Sequence, residues 1–527
     1  MRRAIAANPE HFGSYVNLGL ILFENQQFEE AIAIYQQALE LKPNDTDILH
    51  NLELSHKLKE DPATLAIYFG NLAYEAGEYQ EAADYFEQFA ALDTVIPQLY
   101  IKWGECYMHL NREDKMKEVF QKGIEQYPDC STLYGNFFLN LRNFGEIEEA
   151  KEMIDDALKV LPNDVSLRRL NQVLLPIIYD STEEIETCRT RFTDSLDKLV
   201  TDTILDSPAA IKDAVNSLSY ATNFYLQYQG KNDLDLQVKY GNFVHKLMAA
   251  AYPQWSQQLP PPENTGSGKI RIGFISSFFR NHTVGKLFLG WIQLLNRDKF
   301  EIYCYYLGSD HDGMTSKYKL FSDVFRSLDV KQVNFEDICE TIVKDQLSVL
   351  TYLDIGMDAL ITKLAGLRLA PIQCLSWGHP ITSGSPTIDY FLSSDLMEPA
   401  HGEQHYCEQL IRLPNLSISY PDPQPAILEI TNRKQRSDFN LRDTAIIYLS
   451  CQSLYKYLPQ YDYIFAAIAQ RVPQAQFAFL CYQYGQKINE KFYRRLAKAF
   501  AKFGLNSEDY CVILPRLDQY KIGRAHV

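Results

Sequence analysis

The 527-residue chain predicts an α-solenoid followed by α/β lobes built on parallel sheets. Three observations carry this. A 34-residue self-similarity runs through the first third. After about residue 268 the hydrophobic period changes from helical to short β-branched and aromatic runs, and those runs alternate with helical stretches. The length exceeds what a single hydrophobic core serves, so several domains are expected.

The repeats emerge when 12–45, 63–96, 97–130 and 131–164 are aligned. The first carries Tyr15, Leu18, Gly19, Leu22, Ala31, Tyr35, Ala38 and Pro43. The second carries Phe69, Gly70, Ala82 and Phe86, and the third Tyr100, Trp103, Gly104, Tyr107, Phe120 and Pro128. The fourth carries Tyr134, Phe137, Leu141, Ala150, Ala157 and Pro162. These are the tetratricopeptide positions. Each unit is a pair of antiparallel helices in which small residues permit close approach, and a proline closes the second helix because it cannot donate the next backbone hydrogen bond. Stacked pairs form a superhelix with a concave groove. Residues 46–62 read as half a repeat: Leu49 and Leu52 fit, and the pattern breaks at Asp61–Pro62. Ala4 and Pro9 stand 34 residues before Ala38 and Pro43, so the chain is expected to begin inside an earlier repeat. The sixth position of the first helix holds Asn17, Asn51, Tyr68, Lys102 and Asn136. Asparagine amides bond an extended peptide backbone without reading its sequence. Asn17, Asn51 and Asn136 are therefore candidate acceptor-peptide contacts, the alternative being solvated polar positions.

Five segments follow. Residues 1–164 form the repeat array and 165–265 a helical bridge with a linker, QQLPPPENTGSG. Residues 266–435 form a first Rossmann-like lobe and 436–521 a partial second one. The last six, IGRAHV at 522–527, read as a non-native tail. In the bridge, a helix is expected to start at Ser181, and a second to run through FYLQYQGKNDLDLQVKYGNFVHKLM. Strands are expected at 269–276, 301–307, 348–353 and 371–377 in the first lobe. In the second they fall at 444–450, 476–481 and 511–515, with a helix around 459–471.

The net charge of −16 argues against a general nucleic-acid binder, which needs a basic surface to displace counterions. Ten cysteines without a CxxC pair read as free thiols in a reducing cytoplasm. The N-terminus lacks the apolar core of a signal peptide, and no apolar run approaches the ~18 residues of a membrane span.

Parallel sheets bind ligands beyond the carboxyl ends of their strands. The loops after Ser276, Leu353, Trp377 and Ser450 carry Arg280, His282 and Lys286; Asp354 and Asp358; His379, Thr382, Ser383 and Asp389; and Gln452, Ser453 and Lys456. Taken singly, a strand-end histidine, an aspartate before a strand or a surface lysine each has a structural explanation. Taken together they form the rim of one face.

The segment TYLDIGMDALITKLAGLRLAPIQCLSWGHPITSGSPTIDYFLSSD resembles the core of the protein O-linked N-acetylglucosamine transferases, in their SPINDLY-like bacterial branch. KIRIGFISSFFRNHTVGKL resembles that family's first strand and histidine loop, and SCQSLYKYLPQYD its lysine motif. The resemblance implies two GT-B glycosyltransferase lobes and an inverting, metal-independent transfer of N-acetylglucosamine from UDP-GlcNAc to protein Ser or Thr. No cofactor is implied, and the repeats would hold the acceptor. Lys456 would meet the leaving diphosphate, Gln452, Ser453 and Tyr455 would hold the nucleotide, and His379 and Thr382 would line the sugar pocket. His282 or Asp354 would take the proton. Phe278, Met357–Asp358 and Lys286 depart from the family pattern, which unsettles a single-histidine base. Three rivals remain open: a GDP-fucose-using transferase, a repeat scaffold with a non-catalytic α/β part, and a metal-dependent enzyme using Asp310 and Asp312. Because the second lobe is expected to be incomplete, little or no transfer is expected from this chain alone.

Overall fold

The computed structural model describes residues 1–90, 96–262, 268–419 and 435–515. The expected tail at 522–527, part of the linker at 263–267, the junction of the two expected lobes at 420–434 and the end of the second at 516–521 lie outside these residues. The chain divides into two compact units, Met1–Asn140 and Leu141–Val527.

The first unit is helical: α1 (Arg2–Ala7), α2 (Phe12–Glu24), α3 (Phe28–Leu41), α4 (Thr46–Glu60), α5 (Pro62–Ala76), α6 (Tyr79–Ala90), α7 (Pro97–His109), α8 (Glu113–Gln126) and the start of α9 (Ser131–Phe144). Helices α2 and α3, α5 and α6, and α7 and α8 pack as the expected pairs. One interlock recurs. A Cβ on Gly19 would stand 2.3 Å from the Tyr35 ring, on Gly70 2.6 Å from Phe86, and on Gly104 2.3 Å from Phe120. Each aromatic follows its glycine by the same interval, so the two helices of a pair touch backbone to ring. The half repeat is the single helix α4. The break after it is a cap: the Asp61 carboxylate accepts from Ala63 N at 2.9 Å, and Pro62 takes the first helical position.

In the second unit, α10 (Ile147–Val160) and α11 (Val165–Val173) lead into α12 (Thr182–Asp202), α13 (Pro208–Ser217) and α14 (Leu234–Ala251). Ser181 caps α12 through Glu184 N, as its sequence signals. The expected second bridge helix is shorter than its hydrophobic pattern. Only residues from Leu234 onward are α-helical. Leu226–Gln229 make one 3-10 turn, and Gly230 then takes a left-handed conformation (φ 67°). The Asn232 side chain accepts from Leu234 N at 3.0 Å and begins the helix afresh.

The first sheet comprises β1 (Ile270–Ser276), β2 (Phe300–Tyr306), β3 (Val324–Ser327), β4 (Val349–Tyr352), β5 (Ile372–Ser376), β6 (Tyr390–Ser394) and β7 (Gln409–Leu413). Its order is β3-β2-β1-β4-β5-β6-β7 and every pair is parallel. Helices α15 (Thr283–Leu294) and α16 (Gly313–Phe321) help build the core on one face, with Phe274, Ile302 and Leu353. On the other face α14, α17 (Phe335–Lys344) and α18 (Ala359–Ala365) pack with Ile275, Leu350 and Tyr352. The bridge is thus part of the lobe's core. The second sheet, β8 (Ile446–Ser450), β9 (Ala475–Leu480) and β10 (Cys511–Leu514), is parallel in the order β10-β9-β8. It packs against α19 (Tyr463–Arg471) and α20 (Gln486–Ala501). Ile177 and Ile178, from the bridge, complete that core.

Candidate functional site

Strand order reverses between β1 and β4, the place where an open parallel sheet splits into a ligand crevice. Two predicted loops meet there. Ser277 N, one residue past β1, donates to Asp354 Oδ2, two residues past β4, at 3.1 Å. Asp354 is fully buried and its Oδ1 has no hydrogen-bond partner among the described residues. Burial pushes its carboxyl well above the usual range and the nearby Asp358 adds to this, against the Ser277 hydrogen bond.

Gly356 turns the chain with φ 86°, and a Cβ there would fall 2.6 Å from His379 Nδ1. The His379 imidazole therefore lies directly on the Asp354 loop. Its other face stacks on Phe224, with ring centres 5.4 Å apart. The ring donates to the Phe224 backbone carbonyl, and Nε2 is without a partner among the described residues. The donor is thus Nδ1, and Nε2 carries the lone pair. Burial lowers this histidine to about 4, so it is neutral across the physiological range.

His282 has the opposite tautomer. It is the N-cap of α15, and its Nδ1 accepts from Val284 N at 3.3 Å. In the neutral ring Nε2 therefore holds the proton, and the side chain can donate outward without leaving its cap. Burial lowers its affinity for a second proton, and Arg280 and Lys286 act in the same direction.

On the second sheet, Lys456 and Gln452 are exposed and Ser453 is half-buried. Lys456 makes no ion pair with any described residue. Its neighbour Tyr455 packs against three rings of the bridge: Tyr228 at 4.6 Å, Tyr225 at 5.6 Å and Phe224 at 6.0 Å. The loop 221–229 therefore touches His379 on one lobe and Tyr455 on the other. Sequence reasoning placed this segment in a helix and missed it. The signal was present in the aromatic spacing of Phe224, Tyr225 and Tyr228.

Several other predicted residues have their polar atoms occupied. The Thr382 hydroxyl donates to buried Glu408 at 2.6 Å, and Ser383 bonds the same carboxylate through its amide and its hydroxyl. Asp389 forms a bidentate pair with Arg368 at 2.6 and 2.8 Å. Asp358 caps α18 through Ile361 N. Asp312 caps α16, accepting from Met314 and Thr315, and also takes Asn281 N, while Asp310 lies 3.8 Å from Arg280. Asp312 is thus committed to local structure, whereas the Asp310 side chain is exposed. No cluster of three potential metal-ligating side chains occurs among the described residues. In the first unit, Asn17 is exposed on α2 and Asn51 half-buried on α4, whereas Asn136 Nδ2 donates back to Thr132 O at 2.9 Å. All ten cysteines are free thiols. No helix among the described residues is long and apolar enough to cross a membrane.

Comparison with known proteins gives this geometry a context. Residues 244–420 match the model of glycosyl transferase family 41, and residues 14–45 and 69–129 match models of the tetratricopeptide repeat. The probable UDP-N-acetylglucosamine–peptide N-acetylglucosaminyltransferase SEC of Arabidopsis thaliana is 28% identical over 219 residues, which cover 41% of this chain and 22% of that protein. The Caenorhabditis elegans UDP-N-acetylglucosamine–peptide N-acetylglucosaminyltransferase is 28% identical over 148 residues, covering 28% and 13%. The probable transferase SPINDLY of Arabidopsis thaliana is 26% identical over 237 residues, covering 44% and 24%. The chain thus matches a quarter or less of each of these relatives' length. Among solved structures, a mutant of the Thermobaculum terrenum O-GlcNAc transferase superposes with a TM-score of 0.54 at 16% identity, covering 88% of this chain and 75% of that one. That likeness establishes the fold. With its helix-pair repeats, its family 41 match over residues 244–420 and this shared fold, the chain is similar to the tetratricopeptide-containing O-linked N-acetylglucosamine transferases.

Proposed function

We propose that the site at the β1–β4 crevice transfers N-acetylglucosamine from UDP-GlcNAc to Ser or Thr hydroxyls of cytoplasmic proteins, with inversion and without a metal. The repeat groove holds the acceptor, with Asn17, Asn51 and Asn136 as its backbone contacts. One observation carries the reading: a buried carboxyl and a buried neutral histidine share one loop junction, and the bridge links them to the lysine loop of the other lobe.

The chemistry follows from those states. The acceptor oxygen attacks the anomeric carbon while the bond to the diphosphate breaks, and UDP leaves with the bonding electrons. The hydroxyl proton moves to the acceptor groups of the crevice. Asp354 can take this proton only as the carboxylate, the form that burial disfavours, whereas the His282 lone pair is used in capping α15. His282 Nε2–H and the Lys456 ammonium instead face the charge that develops on the leaving group, where a fixed donor is worth roughly 10²–10³ in rate. His379 Nε2 can accept one hydrogen bond from the sugar. Asp312 is engaged in capping α16, which supports the lysine as the counter-charge. Lys456 stands in solvent, where a single charge contact is weak, so slow transfer is expected from the 527-residue chain.

The test combines UDP calorimetry with transfer of radiolabelled sugar to a protein acceptor, using UDP-GlcNAc and GDP-fucose in separate arms. Label from UDP-GlcNAc on Ser or Thr, lost in Lys456→Ala, supports the reading. Label from GDP-fucose alone assigns the other donor. Absence of nucleotide binding and of label in both arms overturns it in favour of a scaffold.

A further inference from the structure

Arg169 on α11 is fully buried, and no carboxylate among the described residues bonds its guanidinium. Burying an uncompensated cation is costly, so its partners indicate what it secures. Two of them lie at the start of the bridge loop: Nη2 donates to Ala221 O at 2.8 Å and Nη1 to Asn223 Oδ1 at 3.0 Å. The rest come from Gln172 and from Tyr240, whose hydroxyl accepts at 2.9 Å and whose ring lies 4.3 Å from the guanidinium carbon. Asn223 Nδ2 in turn donates to Gln237 Oε1 at 3.2 Å. The far end of the loop is gripped by a second arginine. Arg189 donates to Gln229 Oε1, Asn232 O and Asp233 Oδ1 at 3.1, 2.6 and 2.7 Å. Between these clamps the loop presents Phe224 to His379, and Phe224, Tyr225 and Tyr228 to Tyr455.

We propose that Arg169 is a positioning residue for sugar transfer: it clamps the 221–229 loop so that one rigid aromatic wedge sets both the His379 ring and the Tyr455–Lys456 turn. The proposal rests on reading those residues as the transfer site. Arg169 does not itself touch the crevice. Its effect passes through the Phe224 carbonyl and ring on one side and the tyrosine stack on the other. A wedge that couples both lobes governs how the reacting groups are aligned more than how tightly the donor is held.

The experiment uses the 527-residue chain and the variants Arg169→Gln, Arg169→Lys and Phe224→Leu, read by hydrogen exchange and by transfer kinetics. Arg169→Gln is expected to speed exchange about tenfold in 221–229, 376–382 and 453–457 while leaving 97–140 unchanged. Phe224→Leu, which leaves the Arg169 contacts intact, should loosen 376–382 and 453–457 but not 165–173. In the kinetic arm kcat should fall about ten- to a hundredfold in Arg169→Gln, with donor KM within about twofold. Arg169→Lys, which keeps the charge but reaches fewer acceptors, should fall between. Loosening confined to 165–173, or a Phe224→Leu variant with unchanged exchange in both lobes, overturns the proposal. So does a rise in KM at constant kcat. A wild-type chain without any transfer counts against the sugar-transfer reading, whereas the exchange pattern decides the coupling by itself.

Discussion

Past the strand ends of the seven-stranded sheet, Asp354 and His379 are buried, each with one unpartnered polar atom among the described residues. Past those of the three-stranded sheet, Gln452 and Lys456 stand in solvent. The strands differ in the same way. In β4 and β5 all but the first residue are buried, whereas in β8 Ile446, Tyr448 and Leu449 are exposed. The two sheets share a parallel ladder but not an environment. In the first, burial sets the protonation of each group before any substrate arrives. In the second, the useful charge gains its strength only when something excludes water around it.

The largest effect expected from breaking this contrast lies at the anchor of the second lobe. Asp462 pairs with buried Arg495 at 2.5 Å, and that arginine also donates to Tyr179 O and Tyr457 O. Asp462→Ala leaves the guanidinium buried without its counter-charge. It should cost about 3–5 kcal/mol in urea denaturation, with the loss concentrated in residues 446–514.

Next in size is a pH effect confined to the first lobe. His379 is lowered to about 4 in the folded state, against about 6.5 in the unfolded chain. The unfolded chain therefore binds the extra proton between those values. Stability is full above about 6.5 and falls as pH drops toward 4, by up to about 3 kcal/mol. Asp354, raised by burial, acts with the opposite sign: its contribution is full at low pH and falls as pH rises. His379→Gln should flatten the acid limb of a melting-temperature profile, and Asp354→Asn the rise of instability on the neutral side. An acid limb unchanged in His379→Gln would show that another group carries it.

A smaller effect is expected from Gly356→Ala. The left-handed backbone and the contact with His379 should together cost about 1–3 kcal/mol and release the imidazole toward an ordinary titration, visible in ¹⁵N spectra of labelled histidine. The smallest stability change is predicted at Lys456→Ala, within about 0.5 kcal/mol by thermal melting. There the loss should appear in nucleotide binding and in transfer rather than in stability, which is the sharpest expression of the difference between the lobes.

Much of this was legible from sequence. The repeats declare themselves through a fixed period, and the strands with uninterrupted apolar runs fall where they are expected. The short or polar strands β3, β6 and β7 do not. VFRS is only partly covered, YFLSS hides two serines, and QLIRL is only half-buried, so none reads as an apolar run. β8 misleads the other way: TAIIYLS has the composition of a buried strand and lies open at an edge. At the site, residue types and loops could be anticipated, but their chemical states could not. His282 and His379 look alike in sequence. Only the Val284 amide and the Phe224 carbonyl decide that one is a donor and the other an acceptor. Thr382 looks like a sugar contact until Glu408, far along the chain, takes its hydroxyl. The bridge loop was hidden because a helical hydrophobic period continues through it, and Gly230 interrupts that period without breaking the pattern.

The glycine–aromatic interlocks have a consequence for how such an array changes over time. Because Gly19–Tyr35, Gly70–Phe86 and Gly104–Phe120 repeat one steric solution at one spacing, each helix pair is fitted internally. Duplication or loss of such a pair leaves the fit inside every remaining one untouched, so the number of pairs can drift more freely than the residues within them. The fourth repeat, with Phe138 in the glycine's place, stands outside that set of interchangeable parts.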